Sequence, residues 1–380
     1  MIAAEGDPRP ERTVRTLSTA AGDPQLGSDS STLFLNTYAG TGIGDFGMAF
    51  KLRLGGALDI RSELTTDPAG GSYLSQLRAI LGWPGTVIAN VGLTPFGNSR
   101  VRNFLGLSGI GVRASLGRPT IVLLHNVIEA IRVRDSGFGL SRLGEAAAHL
   151  VVLNLRRARI VVFSATVAEQ LRRAYGIEPS VVTTIPCDVP AVPAAIHRPM
   201  RVVSLGYLSP YKGFDTLLEL KARFGQAIDI TVVGGPHRLL ASTVGYSAYY
   251  QQLVNAMRSS GISHLWQISE ERLDLVLRSS SVAALPYKST QGASSAFSRC
   301  ASAGLPVVAS DLPEFRALEK AGAGILLTSP DPDSWETALR RVLQDDSILR
   351  RLATRQIEFC HAHSWDAFVA KLNPLVRAGQ

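Results

Sequence analysis

The chain has 380 residues, 46% of them hydrophobic and 18% charged, with a mean hydropathy of +0.13. That length predicts two domains of roughly 150 to 200 residues each, and the composition excludes a mainly disordered, collagenous or acidic-tail protein. The formal net charge of +8 sits in residues 98 to 173, where twelve arginines meet only Glu129, Asp135, Glu145 and Glu169.

Such a basic stretch suits nucleic acid, anionic lipid or a phosphorylated substrate, or else is a set of solvated helix faces. Nucleic acid is disfavoured, because the arginines neither alternate with aromatic residues nor follow a reader motif. No apolar run reaches the roughly 18 to 20 residues needed to cross a bilayer, and the N-terminus lacks a basic stretch followed by an apolar one. Cys187, Cys300 and Cys360 are scattered without a close pair, which fits a reducing cytoplasm rather than a disulfide framework or a zinc site.

Residues 1–31 are rich in Asp, Ser, Thr, Pro and Gly without apolar periodicity, and read as a disordered leader. TLFLNTY at 32–38, TVIANVG at 86–92, TIVLLHNV at 120–127 and RIVVFSAT at 159–166 are short apolar runs alternating with helical spacing. They predict a doubly wound parallel sheet over 32–190. The Asp59 to Glu63 segment, LGGALDIRSEL, does not read as a strand end. A Pro- and Ala-rich segment then forms a hinge at 191–200. The strand pattern restarts with RVVSLGY at 201–207 and continues through IDITVVGG, SVAALPY and LPVVAS. A second Rossmann-like domain is expected over 201–360. Trp365, Phe368, Val369, Leu372 and Leu375 recur at helical spacing around Pro374, predicting a kinked amphipathic helix within 361–380.

Four places could carry chemistry. Gly42, Gly44 and Gly47 match the dinucleotide fingerprint after a strand, but no acidic residue ends a second strand. A phosphate- or substrate-facing loop, or a tight strand-to-helix turn, suits them better than nicotinamide binding. His125 ends an apolar strand, where open α/β sheets hold ligands, and could bond a sugar hydroxyl or transfer a proton. In GYLSPYKGF, Lys212 could neutralise a diphosphate and Gly213 permits close backbone approach, although this is not a P-loop. In LPYKSTQGASSAFSRC, a helix opens after a strand, and the amides of Ala293, Ser294, Ser295 and Ala296 offer an anion site.

With these motifs, the VVGG strand at 232–235, the Gly-Leu-Pro-Val-Val turn, DLPEF and HSWD at 363–366, the chain resembles the retaining nucleotide-sugar glycosyltransferases of glycosyltransferase family 4. The likeness runs from 201 to about 370, and more weakly from 32 to 190. It implies a GT-B fold: two Rossmann-like doubly wound parallel-sheet domains facing a central cleft, with the last helix crossing back to the first domain. It also implies donor contacts from Gly42, Gly44, Gly206, Tyr207, Lys212, Gly213, Gly235 and the 293–296 amides. Where the family carries two glutamates, this chain has Gln291 and Arg299, and Tyr207 stands where an arginine often follows the strand glycine. Gln291 can still bond sugar hydroxyls, and Arg299, which cannot accept a ribose proton, is expected to serve the donor by donating to ribose oxygens or a phosphate.

The resemblance therefore implies transfer of a hexose from a nucleoside diphosphate sugar to a hydroxyl acceptor with retention, in glycan, polysaccharide or glycolipid synthesis. His125, Lys212 and Gln291 carry the chemistry, with no metal and no cofactor beyond the sugar nucleotide as co-substrate. The first-domain arginines suit an anionic or lipid-linked acceptor and peripheral contact of a cytoplasmic protein with the inner membrane face. The missing glutamates leave a non-catalytic GT-B scaffold as the rival reading, and the 42–47 glycines leave a nicotinamide oxidoreductase as a third.

Overall fold

The computed structural model describes residues 31–36, 42–65, 73–92, 100–126, 150, 152–237, 240, 244–290 and 292–378; the expected leader at 1–31, apart from Ser31, and Gln291 lie outside them. Two six-stranded parallel sheets form the frame.

The first sheet runs in the order β2-β1-β3-β4-β5-β6, with β1 Thr32–Asn36, β2 Ile60–Thr65, β3 Thr86–Val91, β4 Thr120–Leu124, β5 Arg159–Val162 and β6 Val181–Val182. Strands β1, β3 and β4 are buried throughout, as expected of apolar runs covered on both faces. Strand β2 is a correction to the sequence reading. Its Arg61, Ser62 and Glu63 hide the periodicity because it is an edge strand whose side chains stay partly in water, and Glu63 ion-pairs with Lys51.

One face of this sheet carries helix α1 (Gly42–Leu54) and the last helix, α12 (Trp365–Arg377). Phe34, Phe46, Phe50 and Phe163 pack there with Phe368, Leu372 and Val376. Helix α12 starts at Ser364, whose hydroxyl accepts from the Ala367 amide, and Pro374 sits inside it. The other face carries α2 (Tyr73–Gly82), α3 (Arg100–Ser115), a helical turn ending at Arg157 and α4 (Ala165–Tyr175), around Ile80, Leu107, Ile110, Leu155 and Leu171.

The second sheet has the order β12-β11-β10-β7-β8-β9: β7 Met200–Leu205, β8 Ile228–Val233, β9 Ser263–Leu265, β10 Val282–Leu285, β11 Val307–Ser310 and β12 Ile325–Thr328. Strand order across it reverses between β7 and β10, the position where doubly wound sheets open a crevice at their carboxyl ends. Around it lie α5 (Phe214–Phe224), α6 (Tyr246–Ser259), α7 (Glu270–Arg278), α8 (Ser295–Ser302), α9 (Pro313–Lys320), α10 (Pro332–Gln344) and α11 (Asp346–Ala362).

Among the described residues, several hydrogen bonds join the domains. The Cys187 amide donates to His363 O at 3.0 Å. Arg159 of β5 donates to the carbonyls of Leu375 and Ala378. Glu314, buried on α9, accepts from Ser164 Oγ and from Thr166 Oγ1 (2.8 Å) at the N-terminus of α4; burial pushes its carboxyl pKa up against the pull of these hydroxyls. The three cysteines are buried and free. No helix among the described residues is long and apolar enough to cross a membrane.

Candidate functional site

The sharpest chemistry lies at the β7/β10 reversal. After β7 the chain turns through Gly206 at φ 131° and a short 3-10 turn, Pro210–Lys212, closed by Gly213 at φ 68°. A side chain on Gly213 would put its Cβ 1.8 Å from Pro286 O, so glycine is required both by the left-handed backbone and by the approach of the β10 end. The Lys288 amide donates to Tyr211 O at 2.8 Å, locking the two loops together.

The Lys212 ammonium is thereby held 3.6 Å from the centroid of the buried Tyr287 ring and against the bare backbone of Gly206. Desolvation lowers its pKa to about 7, and among the described ion pairs no carboxylate compensates it. A cation over an aromatic face in a partly dry recess is poised for an anion that brings its own charge. Nearby, Ser209 Oγ and His237 Nδ1 are buried without a hydrogen-bond partner among the described residues. Burial, with Lys212 as a second cause, pulls His237 down to about 4. The Tyr207 and His237 rings meet edge to face at 5.2 Å.

The loop before α8 reaches across the cleft. Gly292 has φ 111°, and a Cβ there would lie 2.7 Å from His125 O, so the second domain touches the backbone at the β4 end. Ala293 packs at the edge of the Phe46 and Phe163 cluster. Ser294 caps α8, its hydroxyl accepting from the Phe297 amide at 3.2 Å. The first amides of the helix have no intrahelical acceptor. Gly292 thus brings the 292–296 loop and His125 together, while the Lys212 recess adjoins that loop through Pro286 and Tyr287.

His125 itself is sandwiched in aromatic surroundings, stacked on Phe163 at 4.6 Å and edge-on to Phe46 at 4.9 Å. Its Nε2 lies 2.7 Å from Asn90 Oδ1, and Asn90 Nδ2 donates to Asn36 Oδ1 at 2.9 Å. Because Asn90 Oδ1 accepts, Nε2 carries the ring proton and Nδ1 presents a lone pair. Burial drives the His125 pKa down to about 3, which favours the neutral ring. Asn36 and Asn90 were missed by sequence reading; the available signal was a lone amide ending each of two apolar strand runs. Gly47 makes room for the first, since a Cβ there would collide with Asn36 Oδ1 at 1.9 Å.

The remaining expected residues fall elsewhere. Gly42 opens α1 and Gly44 lies in its first turn, while the loop before them is outside the described residues. Gly235 is spent on packing, its missing Cβ filled by the Trp266 indole nitrogen, which would sit 2.0 Å away. Arg299 forms a two-pronged pair with Glu270 of α7, and so is engaged by a neighbouring acid rather than turned free into the cleft. Arg299→Ala is accordingly expected to leave nucleoside diphosphate affinity within about twofold, since an exposed pair contributes little. Calorimetric titration checks this, and a tenfold loss would assign the guanidinium to the nucleotide.

The arginine stretch also divides. Arg113 is wholly buried and donates to the carbonyls of Ile80 (3.0 Å), Trp83 (2.6 Å) and Gly85 (2.5 Å), while Arg172 and Arg173 pair with Glu178 and Glu169. Together with Arg159, these are structural groups rather than a ligand surface. Arg132, Arg134 and Arg142 lie outside the described residues.

Two α/β domains with ligand-facing loops at both carboxyl sheet ends, meeting across a cleft, define a GT-B architecture. Residues 191–359 match the family described as Glycosyl transferases group 1. A D-inositol 3-phosphate glycosyltransferase from Nocardioides sp. is 24% identical over 305 residues, covering 70% of this chain and 64% of that protein. A phosphatidyl-myo-inositol mannosyltransferase from Mycolicibacterium smegmatis is 29% identical over 192 residues, covering 49% and 47%. The chain therefore spans less than two thirds of the length of either relative. Among solved structures, sucrose-phosphate synthase from Thermosynechococcus elongatus superposes with a TM-score of 0.68 at 16% identity, over 92% of this chain and 98% of that one. HepE from Anabaena, in complex with UDP and glucose, gives 0.68 at 14% identity, over 92% and 100%. These likenesses show the fold.

Proposed function

We propose that the protein transfers a hexose from a nucleoside diphosphate sugar to a hydroxyl acceptor, with retention at the anomeric carbon. The observation that carries this reading is Lys212, a desolvated cation with no carboxylate partner among the described residues, set at the β7/β10 crevice beside a loop that reaches His125. As the bond from the sugar to the diphosphate breaks, negative charge grows on the leaving phosphate. Lys212 and the amides at the start of α8 are preorganised for that charge. His125, neutral and held in one tautomer by Asn90, would accept a hydrogen bond from a sugar hydroxyl, and Gln291 would make the second sugar contact. Retention and a role in glycan, polysaccharide or glycolipid synthesis follow from the group 1 resemblance, and we place the enzyme in the cytoplasm.

Thermal-shift measurements with uridine, guanosine and adenosine diphosphates and with nicotinamide cofactors, followed by turnover of sugar donors carrying the preferred base, test the reading. Stabilisation by a nucleoside diphosphate with sugar release supports it. Stabilisation without turnover favours a nucleotide-binding scaffold, the second reading, which draws on the capture of Arg299 by Glu270 where the family has a carboxylate. Preference for a nicotinamide cofactor would overturn it.

Among the described residues no group of three or more His, Cys, Asp or Glu side chains could hold a metal, and Lys212 supplies the charge a divalent ion would bring. Excess chelator is expected to leave donor turnover unchanged. A loss of about tenfold that magnesium or manganese restores would overturn metal independence.

A further inference from the structure

The proposed reaction leaves a buried acid of the second domain without a task. Glu314, in the first turn of α9, is 2% exposed, and the groups that answer its desolvation are hydroxyls of the first domain. Ser164 Oγ and Thr166 Oγ1, the latter at 2.8 Å, both donate to the same oxygen, Oε2. Charged groups along α9 and α4 are engaged with other partners: Arg316 with Asp311, and Arg172 and Arg173 with Glu178 and Glu169. Ser164 is also the N-cap of α4, accepting from the amides of Thr166 and Val167 at 3.2 and 3.3 Å. The acid of one domain therefore sits on the positive end of a helix of the other.

Burying a carboxylate away from any cation is costly, and hydroxyl bonds and a helix end offset that cost only in a narrow geometry. Such a contact adds little stability and much orientation. What it orients is shown by the next residue of α4. A Cβ on Gly292 would lie 3.5 Å from Val167 Cγ2 and 2.7 Å from His125 O, so the loop before α8 rests on the same first turn that receives Glu314. The Cys187 to His363 bond lies where the chain itself crosses between the domains. Glu314 joins them away from that crossing, where the covalent chain enforces nothing.

We infer that Glu314 is a positioning residue: by clamping Ser164 and Thr166 from the second domain, it seats Gly292 on the β4 end and so sets the 292–296 loop opposite His125. It touches neither sugar nor phosphate. Its consequence for catalysis rests on the proposed sugar transfer, because a loop displaced by about 1 Å can cost two orders of magnitude in rate. The seating itself does not depend on that reading.

Hydrogen–deuterium exchange of the full chain, read beside thermal unfolding and donor turnover, tests the inference. Glu314→Met fills the space but accepts nothing. Ser164 Oγ and Thr166 Oγ1 lie 2.6 Å apart and can then bond each other, so the melting temperature should hold or rise. Exchange in peptides covering 292–298 should nevertheless increase at least about tenfold, with the strands of the second sheet unchanged. Turnover should fall by about 10- to 100-fold. Glu314→Gln keeps an accepting oxygen and should retain most of both, and Thr166→Val should add nothing further in the Glu314→Met background. Wild-type exchange at 292–298 in Glu314→Met would overturn the inference. So would a rise spread over the whole second domain with a lower melting temperature, which would make Glu314 a prop of the core, or a loosened loop with unchanged turnover. A wild-type protein that turns over no sugar donor would end the sugar-transfer reading, and exchange would still decide the clamp.

Discussion

Replacing Lys212 by methionine is expected to lower donor turnover by about 100- to 1000-fold, the usual loss when one preorganised charge-stabilising group is removed from a site shielded from water. Methionine keeps a long apolar side chain over the Tyr287 ring, so the fold should persist, and a near-native circular dichroism spectrum would separate lost chemistry from lost structure. Turnover like that of wild type would show that the loop is structural.

The same lysine sets a pH signature. With its pKa lowered to about 7 by burial, Lys212 is increasingly neutral above pH 7, and a diphosphate binds its charged form. Affinity should therefore fall as pH rises from 6 to 8.5, with proton uptake on binding, and calorimetry in buffers of different ionisation enthalpy reads both. The methionine variant should show neither. The linked stability has the opposite sense to that of a paired lysine. The unfolded chain holds the proton up to the ordinary lysine pKa, so the penalty of burying the charge is full below about pH 7 and shrinks as pH rises through the window between the two values. Lys212→Met should accordingly gain most in thermal stability relative to wild type near and below pH 7.

The largest loss of stability is expected from Arg113→Met. The side chain fits the space, but the carbonyls of Ile80, Trp83 and Gly85 would be left buried without donors. Each such group costs about 1 to 3 kcal/mol, partly offset by no longer burying a charge, so a net loss of about 3 to 5 kcal/mol is expected by denaturant unfolding. A change below about 1 kcal/mol would mean that water reaches these carbonyls.

How much of this was legible in the sequence follows physical lines. Strands buried on both faces, such as β1, β3 and β4, announce themselves as unbroken apolar runs; the edge strand β2 does not, because half of its side chains face water. The placement of Lys212, Gly213 and the cap of α8 was readable because it is set locally, by a strand, a turn and a helix start. His125 was readable from its place at a strand end. Its fixed tautomer was not, since Asn90, itself held by Asn36, becomes its partner only when three parallel strands come into register. The arginine stretch misled for the same reason. Net charge along a chain does not distinguish Arg113, folded inward to cap carbonyls, from Arg156, left in water.

The position of α12 has a consequence for the order of events at birth. Phe368, Leu372 and Val376 complete a core whose other members, Phe34, Phe50 and Phe163, are synthesised before the second domain begins. Vectorial synthesis ordinarily lets the N-terminal domain fold first. Here the second sheet and its helices form an unbroken stretch that can close on itself as it emerges, whereas the first domain keeps an open aromatic seam until residues 365–377 leave the ribosome. A released chain truncated before Trp365 should carry a protease-resistant second domain and a protease-sensitive first one, the reverse of the order in which they are made.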